Sequence, residues 1–102
     1  MKTKENLNLS PLAVAIQEGA ILVDVRSPEE FAEGSAEGAI NIPLFSIPLR
    51  IDELKSKRKI IVFCASGGRS EQAKMFLKQQ GIDCENGGCW FDVDDACKEL
   101  YL

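Results

Sequence analysis

The chain has no histidine among its 102 residues. That absence excludes the Cys-His and Ser-His-Asp mechanisms, which need an imidazole to take the nucleophile's proton. None of the four cysteines, Cys64, Cys84, Cys89 and Cys97, stands in a C-x-x-C pair, so no metal site is expected. Basic residues are scarce: 12 Lys and Arg face 16 Asp and Glu, for a net charge of -4. Nucleic acid and anionic membrane surfaces are therefore not expected as partners, since binding them needs basic excess. No apolar run approaches the roughly 20 residues of a membrane span. The amino terminus, Met1-Lys2-Thr3-Lys4-Glu5-Asn6, lacks the apolar core of a secretory signal. These absences lead to the expectation of a cytoplasmic protein with reduced thiols. Repeats and low-complexity segments are also missing, and the length suits a single domain over residues 1–102, with residues 1–6 as a disordered N-terminus.

Apolar residues are arranged in short runs divided by helix-start and turn signals. Leu7 and Leu9 suggest a short first strand. Ser10-Pro11 caps a helix that carries Leu12, Ala15 and Ile16 on one face and stops at Gly19. Residues 21–25 read as a buried strand ending in Asp24-Val25-Arg26, where Asp24 and Arg26 are expected to brace neighbouring loops. Ser27 and Glu30, three apart, form a capping box for a short helix. Residues 39–42 suggest a third strand, halted by Pro43. Pro48 disfavours helical geometry at Ile47, which predicts a turn before Pro48 and a helix after it. Residues 60–63 and 82–84 supply two more strands. Asn86-Gly87-Gly88 is expected to turn out of the last strand into a helix with Asp92, Asp94 and Asp95 near its start. Strands alternating with helices predict a parallel α/β sheet.

The chemistry concentrates at residues 59–81. Ile60, Ile61, Val62 and Phe63 form a continuous apolar strand of the kind buried on both faces. Cys64 stands at its carboxyl end. Ala65-Ser66-Gly67-Gly68-Arg69-Ser70 follows as a small, glycine-bearing loop that opens a helix carrying Ala73, Phe76 and Leu77 and closing at Gly81. Such a loop collects unpaired N–H groups and the positive end of a helix dipole, so it favours an anion. A thiolate is one such anion and a sulfur or phosphorus oxyanion another. The bland alternative for Cys64 is a buried structural thiol. Arg69 can face the pocket and bind an anionic donor or pair with a carboxylate of the Glu29-Glu30 turn. Gly67 and Gly68 are expected to let the backbone curl. Cys84 and Cys97 read as strand and core residues, and Glu71 and Lys74 as a solvated helix face.

Two segments resemble the rhodanese-like sulfurtransferases. The first runs from Leu22-Val23-Asp24-Val25-Arg26-Ser27-Pro28-Glu29-Glu30-Phe31 through Gly34, Gly38-Ala39 and Asn41-Ile42-Pro43, and the second is Cys64-Ala65-Ser66-Gly67-Gly68-Arg69-Ser70. The resemblance implies a single rhodanese-like domain, with a central five-stranded parallel sheet flanked by helices on both faces. It also implies Cys64 as the catalytic persulfide carrier, with Ala65, Ser66, Gly67, Gly68, Arg69 and Ser70 around the substrate. The chain departs from the family pattern in having Gly34-Ser35-Ala36 where many members have Gly-His-Ile. It has Ala65 where many thiosulfate users have arginine, so the resemblance implies no preference for thiosulfate. Trp90 also follows Gly87-Gly88 sooner than is common.

The function expected on this basis is transfer of a sulfane sulfur from thiosulfate or a persulfide to a thiol or cyanide, by a monomer without cofactor. A cysteine phosphatase or arsenate reductase is a second reading. Loops of that kind resemble one another in having five residues between Cys and Arg, whereas four separate Cys64 from Arg69. A non-catalytic binding module is a third reading, although such domains typically lack the cysteine. Cys89 is either a small turn residue beside Trp90 or a second thiol that accepts or resolves the persulfide. Parallel strands finishing on one sheet edge would bring it to the Cys64 pocket.

Overall fold

A computed structural model describes residues 8–55 and 58–101. The expected disordered N-terminus and the strand residue Leu7 lie outside these. Helix α1 (Pro11–Gln17) leads to β1 (Ile21–Asp24), α2 (Pro28–Glu33) and β2 (Ile40–Asn41). A 3-10 segment, Leu44–Arg50, and α3 (Ile51–Leu54) precede β3 (Ile60–Cys64), α4 (Gly68–Gln79), β4 (Cys84–Cys89) and α5 (Trp90–Glu99). The sheet is parallel with strand order β2-β1-β3-β4.

The expected sheet of five strands is therefore corrected to one of four among the described residues. Leu9 lies outside any strand and runs directly into Ser10, whose side chain caps α1. The turn expected before Pro48 is corrected to a 3-10 segment that contains Pro48, and the helix expected after it is α3. A short 3-10 stretch suits the fixed φ of proline and needs no long ladder of donors.

Strand β3 is buried along its whole length. Its alternating side chains divide between two cores. Ile60, Val62 and Cys64 join Ala73 and Leu77 of α4, with Ile47 and Leu54. Ile61 and Phe63 join Val93 and Cys97 of α5 on the other face. This sandwich fixes β3 in depth and delivers Cys64 to the sheet's carboxyl edge, where ligands of open α/β sheets bind.

The neighbouring strand end is held by a buried ion pair. Asp24 is fully buried and Arg26 is 5% exposed. Arg26 Nη2 donates to Asp24 Oδ2 at 2.7 Å and to the Gly34 carbonyl at 2.6 Å, and its guanidinium lies 5.1 Å from the Trp90 ring centroid. Ser35 donates its hydroxyl to Asp24 Oδ2 at 2.7 Å. The chain thus ties β1 to the α2 exit and to α5, as the bracing role of Asp24 and Arg26 requires. Removing one member strands the other charge in the interior. The Asp24→Ala protein should lose roughly 3–5 kcal/mol of unfolding free energy in urea, and a loss below about 1 kcal/mol, typical of a surface pair, would show the brace to be unimportant.

Candidate active site

Cys64 is the last residue of β3 and only 1% exposed. The chain then turns through Ala65 and Ser66, both exposed, into Gly67, whose φ of +100° places it in the left-handed region at the N-cap of α4. Gly67 needs glycine for that conformation. Gly68 does not, since it lies in the first turn of α4 with open space beside it. The expectation that both glycines serve the curl therefore holds for one of them.

The loop directs donors at the sulfur. Gly67 N–H reaches Cys64 Sγ at 3.0 Å, and the Ser70 hydroxyl lies 3.3 Å from it. Burial is the largest single influence on the Cys64 thiol and pushes its pKa up. The Ser70 hydroxyl and the backbone N–H groups of Ser70, Ser66 and Gly67 together outweigh burial and bring the thiol down to about 7. No imidazole is involved, and a substantial thiolate fraction exists at neutral pH.

Arg69 turns to the α2 capping box. Its Nη1 and Nη2 donate to Glu30 Oε1 and Oε2 at 2.8 and 3.0 Å. With the Ser27 N–H, this pair holds the Glu30 carboxyl down at about 2. Arg69 thereby ties the loop to the α2 start while lining a cleft of about 170 Å³ with Val25, Ser27, Pro28, Pro43 and Leu44.

Asn86 is the functional side chain that reading the sequence missed. Its Oδ1 accepts from Ser70 Oγ at 2.7 Å and from Gly88 N at 2.9 Å, and its Nδ2 donates to the Gly67 carbonyl at 3.0 Å and to Glu71 Oε1 at 2.9 Å. One amide thus fixes the loop, the Ser70 hydroxyl and the end of β4. Glu71, expected as a purely solvated residue, is part of this network. The Asn86-Gly87-Gly88 segment continues β4 instead of turning out of it, with a register shift opposite Val62 and Phe63. Counting by twos from Cys84 would have placed Asn86 on the α4 face, but the pair of glycines after it imitates a turn. The helix expected to begin near Asp92 starts at Trp90.

The family model for the rhodanese-like domain matches residues 9–89. The chain belongs to the rhodanese-like domain family. A sulfurtransferase from Allochromatium vinosum is 41% identical over 68 residues, which span 67% of this chain and 64% of that protein. The thiosulfate sulfurtransferase PspE of Escherichia coli K12 is 36% identical over 74 residues, spanning 70% of this chain and 71% of that one. A solved E. coli rhodanese with anions superposes with a TM-score of 0.67 at 36% identity, covering 72% of this chain and 91% of its own.

In this rhodanese-like domain the Ser70 hydroxyl carries one proton between two acceptors, Asn86 Oδ1 and Cys64 Sγ. When Cys64 ionises, that proton can turn to the sulfur, which favours the thiolate. In the native protein, Cys64 alkylation should rise with pH to a plateau above an inflection at about 7. Cys84, pushed up to about 11 mainly by burial, should stay unreactive across that range. Ser70→Ala should move the Cys64 inflection up toward the roughly 8.5 of a free thiol. An unchanged inflection would remove Ser70 from the account.

Proposed function

We propose that this rhodanese-like domain is a sulfurtransferase that carries a sulfane sulfur on Cys64 as a persulfide. The observation that carries the reading is a buried Cys64 whose Sγ receives the Gly67 N–H at 3.0 Å and lies 3.3 Å from the Ser70 hydroxyl, an arrangement that brings the thiol down to about 7. The thiolate attacks the sulfane sulfur of thiosulfate or a persulfide. The donor's S–S bond breaks with its electron pair leaving on sulfite or a thiolate. The bound sulfur then lies among N–H groups of residues 65–70, which favour its anionic form. A thiol or cyanide takes that sulfur, and the Cys64 thiolate departs as a good leaving group because its pKa is low.

Ala65, Ser66, Gly67, Gly68 and Ser70 surround the donor in this scheme, while Arg69 closes the cleft side and orients the loop through Glu30. No cofactor is needed, since every step is a displacement at sulfur. The four residues between Cys64 and Arg69 make a tighter loop than a tetrahedral phosphate ester needs, which weighs against the phosphatase reading. The retained Cys64, with donors aimed at its sulfur, weighs against a purely binding role.

Intact mass spectrometry after incubation with thiosulfate or a persulfide donor should show one added sulfur atom in the native protein and none in Cys64→Ser. Sulfur that still adds to Cys64→Ser, or Cys64-dependent hydrolysis of an aryl phosphate, would overturn the proposal.

A further inference from the structure

The carboxyl ends of β3 and β4 carry an alignment that sulfur loading does not use. Ile60, Ile61 and Val62 pair with Cys84, Glu85 and Asn86, but Phe63 pairs with Gly88 and Cys64 with Cys89. Gly87 is the extra residue. Without it Cys64 would lie opposite Gly88, so the register shift is what sets one cysteine against another. The shift depends on both glycines. A Cβ at Gly87 would lie 2.8 Å from Val93 Cγ2 and 3.0 Å from Ile61 Cγ2, and Gly88 holds a φ of +82°.

We propose that Cys89 is a resolving thiol for sulfur bound on Cys64: it attacks Cys64 Sγ, forms a Cys64–Cys89 disulfide and expels the bound sulfur as hydrosulfide. The inference rests on the persulfide reading of Cys64. Register partners on parallel strands project to the same face, and neighbouring strands lie about 4.8 Å apart. Disulfides need Cα separations of about 4.4–6.8 Å, so the bond needs no large backbone movement. Cys89 is half-buried whereas Cys64 is almost fully covered. The other two thiols do not compete: Cys84 pairs with Ile60 at the far end of β4, and Cys97 lies in the core on the opposite face of the sheet.

The step balances without an oxidant. Cys89 gives its proton to solvent, the Cys64 Sγ to outer-sulfur bond breaks, and its electron pair leaves with the outer sulfur. That sulfur is reduced to sulfide as the Cys89 thiol is oxidised to the disulfide level. The loop N–H groups that hold the bound sulfur also stabilise it as the departing anion. An external dithiol then reduces the disulfide and restores both cysteines.

The test uses the whole 102-residue chain loaded with thiosulfate or, where that does not load it, a persulfide donor, then desalted and held without thiol or oxygen. Native protein should lose the added sulfur, release one hydrosulfide per chain and yield a Cys64–Cys89 linked peptide. Cys89→Ser and Cys89→Ala should lose the hydrosulfide burst and keep the persulfide. Discharge of either variant at the native rate, or appearance of the sulfur on Cys89 without a linkage, would overturn the proposal. A parallel sample of unloaded protein equilibrated with an oxidised dithiol should form the same linkage. Failure there shows that the pair cannot bond, whereas failure of Cys64 to take up sulfur defeats the persulfide reading and this inference with it.

Discussion

Ionising a buried thiol without an imidazole is the constraint that the surroundings of Cys64 answer. Placing a charge in the interior is costly unless donors compensate it locally. Here compensation comes from groups that cannot be moved independently: backbone N–H groups of residues 66, 67 and 70 and one hydroxyl. Backbone donors are effective only if the chain path is held. The sandwich of β3 between two cores, the left-handed Gly67 and the Arg69–Glu30 pair therefore all bear on the chemistry of one sulfur atom.

Asn86 shows how that path is held from the adjacent strand. Its amide satisfies the Gly67 carbonyl and orients Ser70 while also accepting from Gly88. The irregular end of β4 is thus coupled to the Cys64 loop, and a backbone shift at Gly87 or Gly88 would be felt at Cys64. On the other side, Asp24 and Arg26 link the end of β1 to Gly34, Ser35 and Trp90. The two networks tie down the ends of the strands on either side of the cysteine.

Much of this was legible in the residues alone. The apolar run at 60–63, the capping box at Ser27 and Glu30, and the glycine-bearing loop after Cys64 are local signals, and each gave the element it suggested. What was not legible depended on pairing between distant segments. Asn86-Gly87-Gly88 has the composition of a turn, yet the clash awaiting a Cβ at Gly87 and the hydrogen bonds of Asn86 belong to a bulged strand. Arg69 had two plausible partners in the sequence, and only the fold brings Glu30 within 2.8 Å of it. Of the strand expected over Leu7 and Leu9, Leu9 lies outside any strand because the Ser10 cap follows at once.

The central claim is that a substantial fraction of Cys64 is thiolate near neutrality because of the donors of its loop and of Ser70. Ultraviolet thiolate absorbance, titrated in the native protein and in Cys64→Ser, isolates this residue as the difference between the two curves. The account predicts a difference transition of one thiol centred at about pH 7. A difference transition in the free-thiol range, at roughly 8.5 or above, would contradict it.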